Sequence, residues 1–173
     1  MVSLTKKFGK KTVLHDVSIE VRPSEVVGLL GRDGAGKTLT FYSILGLLRI
    51  NSGQIILNGE DITRLPLDQR ERRRCEIARA MAANPGIMLF DEPFAGIDPL
   101  SVRDIKAMIA SLERHKVGIL ITDQNVREMV DILDRVYVLH EGRIVFSGTP
   151  EAMLDDKIVR HLYLGEEFHA TAR

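Results

Sequence analysis

The chain has 173 residues, of which 45% are hydrophobic and 28% are charged, and its 24 basic residues balance its 24 acidic ones. This composition is typical of a folded single-domain protein, and zero net charge argues against binding nucleic acid or anionic lipid through the overall field. No apolar run reaches the ~18 to 20 residues of a membrane span. Cys75 is the single cysteine, so an internal disulfide is excluded.

The first half of the chain predicts three strands, a glycine-rich turn and a helix. Residues 12 to 22 alternate apolar and polar side chains, which indicates a half-buried strand. Residues 25 to 30, EVVGLL, predict a strand covered on both faces, and GRDGAGKT follows it. Residues 39 to 48 then predict a helix, and residues 53 to 62 another strand that ends in a turn.

The second half begins with a charged stretch in which four of the five residues from Arg70 to Arg74 are arginine. From Glu71 to Ala83 apolar residues recur at helical spacing, and Asn84-Pro85-Gly86 ends the pattern. The arginines lie mostly on the other face, as on a solvated helix. A nucleic-acid patch is disfavoured because the net charge is zero and no aromatic residues are interleaved.

Strands and helices alternate through the rest of the chain. The patterns predict strands at 87 to 90 and 117 to 122, helices at 99 to 114, 125 to 134 and 150 to 164, and a hairpin at 135 to 148. Asp98 is the expected N-cap of the helix at 99 to 114, with Pro99 in its first turn. The alternation predicts an α/β fold with a mainly parallel sheet and antiparallel strands at its edges.

The glycine-rich turn matches the phosphate-loop pattern G-x-x-x-x-G-K-[ST] through Gly31, Gly36, Lys37 and Thr38, between a predicted strand and a predicted helix. Glycines let successive N–H groups point at phosphate oxygens, and the helix adds the positive end of its dipole. Lys37 can reach the β- and γ-phosphates, and the Thr38 hydroxyl can hold Mg²⁺. The alternative is a glycine-rich turn with an unrelated lysine.

A second candidate element is the acidic pair in IMLFDEP, which follows a predicted buried strand. Asp91 is placed to hold Mg²⁺ from the opposite side, and Glu92 to polarise an attacking water. The alternative is an acidic pair that only caps a helix. Together with the phosphate loop, the pair predicts a nucleotide hydrolase.

The segments GRDGAGKT, ERRRCEIARAMAANPGIMLFDEP, AGID and ITDQNVRE, in this order, resemble the nucleotide-binding domain of ABC transporters. Within that superfamily, LPLDQR, DEPFAGIDPLSVRDIK, ITDQNVRE and YLGEEF most resemble the ATPases of the lipopolysaccharide export machine. The resemblance implies a P-loop NTPase core formed by one domain, residues 1 to 173. Residues 1 to 70 would carry the phosphate loop, and residues 71 to 173 the Mg²⁺ and base strand.

The resemblance also implies roles for individual residues. Phe8 would stack on adenine, although an ordinary edge-strand aromatic is the alternative. Gln124 stands where the family has a histidine that touches the γ-phosphate; an amide can still donate a hydrogen bond but cannot reproduce proton chemistry. The expected nucleotide-binding loop comprises Gly31, Arg32, Asp33, Gly34, Ala35, Gly36, Lys37, Thr38 and Leu39, and the expected dimer-interface loop comprises Ala95, Gly96, Ile97 and Asp98.

Arg32 and Asp33 replace the proline and asparagine usual in the family. Because backbone N–H groups cradle the phosphates, we expect nucleotide binding to survive this replacement. The implied cofactors are ATP and Mg²⁺. The implied partners are a second copy of the chain and integral membrane transporter subunits, on the cytoplasmic face of the inner membrane, without nucleic acid and without direct membrane insertion.

A departure from the family falls between Arg70 and Glu71. In the family this position is occupied by a glutamine loop, a helical subdomain that meets the transporter, and a serine-glycine-glycine signature that closes over the partner's ATP. Several tens of expected residues are missing, whereas the neighbours on both sides match. We therefore predict a junction of two segments near residues 70 and 71. If the gap is real in the polypeptide, we expect ATP binding with little hydrolysis and no productive transport.

Three other functions remain open from the sequence. The chain could serve another ABC importer or exporter, for example of the branched-chain amino acid type. It could be a shortened module that binds ATP without hydrolysing it. A DNA-maintenance ATPase with a coiled-coil insertion is the third, and salt-sensitive DNA binding would distinguish it.

Overall fold

The computed structural model describes residues 1–64 and 86–165. The predicted helix at 71 to 83, the junction at Arg70 and Glu71, and residues 166–173 lie outside the described residues.

Ten strands occur among the described residues: β1 (Val2–Phe8), β2 (Lys11–Val17), β3 (Val26–Leu30), β4 (Ser52–Gln54), β5 (Ile56–Leu57), β6 (Glu60–Asp61), β7 (Ile87–Asp91), β8 (Gly118–Asp123), β9 (Arg135–His140) and β10 (Arg143–Gly148). The helices of the same part of the chain are α1 (Lys37–Leu45), α2 (Pro99–Arg114), α3 (Val126–Met129), α4 (Pro150–Asp155) and α5 (Lys157–Val159), and a π-helical turn follows at Arg160–Leu164.

The main sheet has five strands in the order β10-β9-β3-β8-β7. The pairs β9–β3, β3–β8 and β8–β7 are parallel, whereas β10 pairs antiparallel with β9 at one edge. Every residue of β3 and β8 is buried, as expected for apolar strands covered on both faces. This confirms the predicted α/β fold with a mainly parallel sheet and an antiparallel edge strand.

A second, antiparallel sheet has the order β2-β1-β4 and covers one face of the main sheet. Leu4 of β1 and Leu14 of β2 are fully buried and share a hydrophobic cluster with Val27 and Leu29 of β3. The other face of the main sheet packs against α2, with Ile109 in the second cluster. The main sheet therefore lies between two apolar layers that fix the positions of its strand ends.

Helix α2 spans the residues predicted for it. The Asp98 carboxylate accepts hydrogen bonds from the N–H groups of Leu100 and Ser101, at 2.9 and 3.1 Å, and Pro99 occupies the first turn. Val102 and Ile109 of this helix are buried. Ile105 and Leu112 pack against the core at its margin, whereas Met108 is 43% exposed.

Two predicted strands are shorter than expected. The strand predicted at 12 to 22 ends at Val17, after Asp16 adopts a left-handed φ of 56°. Ile19 is buried nonetheless, and its N–H donates to the Met1 carbonyl at 3.1 Å. Beyond Val17 the alternating pattern therefore reflects burial of side chains, not a continued β-strand. The strand predicted at 53 to 62 is divided into three short strands, because Asn58-Gly59 forms a tight hairpin turn between β5 and β6.

Three predicted helices also have different bounds. The helix predicted at 39 to 48 begins at Lys37 and ends before Gly46, whose φ of 75° terminates it. The helix predicted at 125 to 134 is only α3, Val126–Met129. The helix predicted at 150 to 164 is interrupted at Asp156, whose extended backbone ends α4 and whose carboxylate caps the next helical segment. The predicted hairpin at 135 to 148 is confirmed.

Candidate nucleotide-binding site

Strand register brings the sequence-predicted elements to one edge of the main sheet. Leu30 of β3 lies opposite Asp123 of β8, and Thr122 of β8 lies opposite Asp91 of β7. All three strands run in the same direction, so the phosphate loop, the acidic pair and the Gln124 segment leave adjacent strands at their carboxyl ends. This edge is the usual position of ligands in α/β sheets.

The phosphate loop between β3 and α1 requires glycine at two positions for different reasons. A Cβ atom at Gly31 would lie 2.3 Å from the Leu139 carbonyl oxygen, so a larger residue cannot fit beside β9. Gly36 has a φ of 109°, and a Cβ atom there would lie 2.7 Å from the Leu14 side chain. The glycines of the motif therefore reflect close backbone approach and left-handed geometry.

The start of α1 offers backbone donors to an anion. Gly36 is the N-cap in left-handed conformation, and no side chain caps the helix. Among the described hydrogen bonds, the N–H groups of Lys37 and Thr38 have no protein acceptor, whereas the Thr40 N–H bonds the Gly36 carbonyl at 2.9 Å. Unpaired N–H groups at a helix start, together with the helix dipole, favour phosphate oxygens.

Lys37 lies across the loop that precedes it. Its side chain is buried, and its Nζ donates to the carbonyl oxygens of Gly31, at 2.7 Å, and Arg32, at 3.3 Å. The ammonium group is therefore held inside the curve of the loop by two neutral acceptors. A phosphate would offer this charge a stronger, charged acceptor.

Thr38 and Asp91 provide the oxygen donors expected of a Mg²⁺ site. Thr38 is exposed at the start of α1, and its hydroxyl makes no hydrogen bond among those described. Asp91 is exposed at the end of β7, and the Thr122 hydroxyl donates to one of its carboxylate oxygens. Hydroxyl and carboxylate oxygens are ligands that Mg²⁺ accepts alongside phosphate oxygens, so these residues fit the ion.

Glu92 follows Asp91 in an unusual backbone conformation. Its φ of 48° is left-handed, which costs a non-glycine residue roughly 1 to 2 kcal/mol. Its N–H donates to the Thr122 carbonyl at 2.7 Å, and this bond holds the conformation. Strain maintained by surrounding bonds is a common property of functional positions.

Asp123 is a residue of this edge that our sequence reasoning missed. Its side chain is 1% exposed, and its carboxylate accepts from the N–H groups of Phe94, Gln124 and Asn125 at 3.2, 2.7 and 2.8 Å. A signal was present, because ILITD ends in an aspartate after an apolar strand just as IMLFD does. The carboxylate connects the loop after β7 with the loop after β8.

Gln124 is held through its backbone on both sides. Its N–H donates to Asp123, and its carbonyl accepts from the Tyr163 hydroxyl at 3.2 Å. Burial raises the pKa of the Tyr163 hydroxyl well above its ordinary value, and the nearby Asp123 carboxylate contributes in the same direction. The π-helical turn that carries Tyr163 therefore packs against the loop of Gln124.

The remaining predicted residues lie at the surface. Phe8 ends β1 and is 50% exposed, with the Lys6 Nζ 4.8 Å from its ring centroid. The predicted dimer-interface loop from Ala95 to Asp98 is exposed. The hydrogen bond from the Ser101 hydroxyl lowers the pKa of the Asp98 carboxyl, and hydrogen bonds from the N–H groups of Ser101 and Leu100 act in the same direction. Adenine stacking and dimer contacts at these positions stay predictions.

The strand, glycine-rich loop and helix, with an acidic pair ending a neighbouring parallel strand, define the class of P-loop nucleotide hydrolases. The chain belongs to the ABC transporter ATP-binding family, a family of ATPases. A family model described as ABC transporter matches residues 14–72. The lipopolysaccharide export system ATP-binding protein LptB of Haemophilus influenzae is 38% identical, and the match covers 96% of each chain.

Further relatives and solved structures agree. The lipopolysaccharide export system ATP-binding proteins LptB of Acidithiobacillus ferridurans and Escherichia coli K12 are 37% and 36% identical, each with 96% of both chains covered. A crystal structure of an ABC transporter ATP-binding cassette in its ADP conformation has a TM-score of 0.80 at 21% identity, covering 95% of this chain and 97% of that one. A nucleotide-free cassette has a TM-score of 0.79 at 20% identity, covering 95% and 98%. These structures support the fold.

The relatives also bear on the predicted missing segment. The match to the Haemophilus influenzae protein extends over 232 residues, whereas this chain has 173. A long stretch of that relative therefore has no counterpart here. The placement of the missing stretch between Arg70 and Glu71 stays a prediction from the sequence.

Proposed function

We propose that the chain binds Mg-ATP at the carboxyl ends of β3, β7 and β8. The observation that carries this proposal is strand register, which brings the phosphate loop, the Asp91-Glu92 pair and Gln124 to one edge. In this proposal, the N–H groups at the start of α1 bind phosphate oxygens and Lys37 neutralises their charge. Phe8 stacks on adenine.

The same geometry supports a hydrolytic role for the acidic pair. Thr38 and Asp91 would hold Mg²⁺, which bridges phosphate oxygens and offsets their negative charge. Glu92 orients and polarises the attacking water, and Gln124 donates a hydrogen bond to the γ-phosphate through its amide. Phosphoryl transfer depends mainly on positioning and charge stabilisation, so each of these groups affects the rate.

For the biological role, we propose the ATPase subunit of a lipopolysaccharide export transporter. Three relatives at 36 to 38% identity carry that description. Among the described residues, no helix is both long and apolar enough to cross a membrane. In this proposal the chain acts at the cytoplasmic face of the inner membrane, as a homodimer bound to integral membrane subunits, with the loop from Ala95 to Asp98 at the dimer contact.

We further propose that hydrolysis is slow. Gln124 replaces a histidine with a neutral amide that cannot exchange a proton near neutral pH. Restoring the histidine with Gln124→His, in a chain completed by the missing segment of a relative, should raise steady-state phosphate release. Unchanged turnover in that completed variant would show that the glutamine does not limit the reaction.

A second candidate is a module that binds ATP without turning it over, and the length difference from the relatives favours it. Under this function Glu92→Gln should leave Mg-ATP affinity and the already negligible phosphate release unchanged. Under the transporter function, the completed chain should release phosphate, and Glu92→Gln should abolish that release. The two candidates therefore differ in one assay of phosphate release by the completed chain and its E92Q variant.

The export role is tested separately from nucleotide binding. The 173-residue chain and the completed chain are each combined with the membrane subunits of a lipopolysaccharide exporter in vesicles that contain lipopolysaccharide. We expect ATP-dependent lipopolysaccharide release with the completed chain and none with the 173-residue chain. ATP binding without association with those subunits would argue for a different ABC transporter.

A further inference from the structure

We infer that Asp123 is a positioning residue that fixes the Glu92 loop and the Gln124 loop relative to each other. Its two carboxylate oxygens serve different loops. Oδ2 accepts from the Phe94 N–H at 3.2 Å, two residues after Glu92. Oδ1 accepts from the N–H groups of Gln124 and Asn125 at 2.7 and 2.8 Å.

Burial makes these hydrogen bonds strong. Asp123 is 1% exposed and has no salt-bridge partner among residues 1–64 and 86–165. A buried carboxylate without a cation depends on its hydrogen-bond donors, so the donors and the carboxylate constrain one another. Both loops are therefore tied to the end of β8.

The preceding residue adds a second connection between the same elements. The Thr122 carbonyl accepts from the Glu92 N–H at 2.7 Å, and the Thr122 hydroxyl donates to the Asp91 carboxylate. Two hydrogen bonds thus hold Glu92 in its left-handed conformation. One joins its own N–H to Thr122, and the other joins the N–H of Phe94, two residues later, to Asp123. The end of β8 sets the backbone on both sides of the proposed base.

The functional consequence rests on the proposed contact between Gln124 and the γ-phosphate. ADP lacks that phosphate, so a correctly placed Gln124 favours ATP over ADP, while the phosphate loop binds both. An asparagine at position 123 keeps the shape but has one acceptor oxygen, so it can serve only one loop. We therefore expect Asp123→Asn to reduce the preference for the triphosphate and to leave ADP affinity unchanged.

The test is a calorimetric comparison of the full chain with the Mg²⁺ complexes of ADP and a non-hydrolysable ATP analogue with an imido bridge. We expect D123N and Q124A each to lower the ratio of analogue affinity to ADP affinity by roughly fivefold to thirtyfold. The double variant D123N/Q124A should fall no further, because both changes remove the same contact. D134N is the matched control, since Asp134 accepts the Val26 N–H at 2.7 Å where β3 begins.

Where Q124A lowers the ratio, an unchanged ratio in D123N, an equal loss for both nucleotides, or additive losses in the double variant would overturn the inference. Amide hydrogen exchange of the nucleotide-free protein provides a second readout: D123N should speed exchange at Phe94, or at Gln124 and Asn125, and D134N should not. If Q124A leaves the ratio unchanged, the γ-phosphate contact of the proposed function fails and the exchange result alone decides the role of Asp123. Unchanged exchange at all three amides would then overturn it.

Discussion

The two ends of the main sheet carry charged groups in opposite arrangements. Where β3, β8 and β9 begin, the Arg135 guanidinium lies 2.8 Å from a Glu25 carboxylate oxygen and donates to the Glu20 carbonyl at 3.1 Å. Where β3, β7 and β8 end, the carboxylates of Asp91, Glu92 and Asp123 form no ion pair with any described residue.

This difference separates groups that stabilise the fold from groups available to a ligand. We call the end where β3, β8 and β9 begin the amino end. Its charged groups are already paired with one another. At the second end, the carboxyl end, Asp91 and Asp123 are held by hydroxyl and N–H donors, which leave their negative charge uncompensated. The same end presents the N–H groups of Lys37 and Thr38 at the start of α1, which have no acceptor among the described residues. The carboxyl end can therefore take up a cation together with an anion.

The largest effect is expected for Lys37→Ala at the carboxyl end. It removes the charge that we propose binds the phosphates, and loss of one partner of a buried charge pair costs about 2 to 5 kcal/mol of binding, roughly 30-fold or more. Calorimetric titration with Mg-ATP measures the loss. Lys106→Ala is the control. The Lys106 Nζ lies 2.9 Å from an Asp131 carboxylate oxygen, and neither residue belongs to the phosphate loop. Equal Mg-ATP affinities in the Lys37→Ala and Lys106→Ala variants would contradict the assignment of the carboxyl end as the ligand-binding end.

At the amino end, Arg135→Ala should reduce stability without changing nucleotide affinity. It leaves Glu25, whose side chain is 14% exposed, without its cation, and we expect a loss of about 1 to 3 kcal/mol in the free energy of unfolding. Urea denaturation measures this change, and calorimetry with Mg-ATP measures affinity. A variant of normal stability, or one with weakened ATP binding, would mean that the amino end is not the stabilising one.

The smallest effect is expected for Tyr163→Phe, which tests the contact behind the carboxyl end. At neutral pH it removes the hydrogen bond to the Gln124 carbonyl, worth about 1 kcal/mol. Because folding raises the pKa of the Tyr163 hydroxyl, its contribution is fully present below the unfolded pKa of about 10 and is lost as pH rises above it.

Wild type should therefore lose stability more steeply than Y163F above about pH 10, as followed by urea denaturation at a series of pH values. Tyr42→Phe is the control, since Tyr42 is 43% exposed. Parallel curves for wild type and Y163F would show that the hydroxyl is not buried against the Gln124 loop.

The sequence predicted the elements that depend on local pattern. The phosphate loop, helix α2 with its Asp98 cap, and the hairpin of β9 and β10 follow from glycine spacing, capping residues and apolar periodicity. The errors have two causes. Ile19 is buried outside a strand because tertiary contact overrides the alternating pattern. The Asn58-Gly59 turn is a recognisable local hairpin signal that was included in the strand predicted at 53 to 62.

The candidate site was predicted only where a residue carries a motif of its own. Asp91 and Glu92 follow an apolar strand and precede a proline, and this pattern was enough to predict a Mg²⁺ ligand and a base there. The bonds of Asp123 to Phe94 and of Tyr163 to Gln124 join residues separated by 29 and 39 positions. Such contacts depend on strand order and register, which a single sequence leaves open.

The most direct test of the nucleotide site combines Mg-ATP binding and phosphate release in one preparation of the 173-residue chain. We predict saturable Mg-ATP binding that Lys37→Ala weakens roughly 30-fold or more, with phosphate release much slower than that of the chain completed by the missing segment. No measurable Mg-ATP binding, or phosphate release as fast as that of the completed chain, would contradict this prediction.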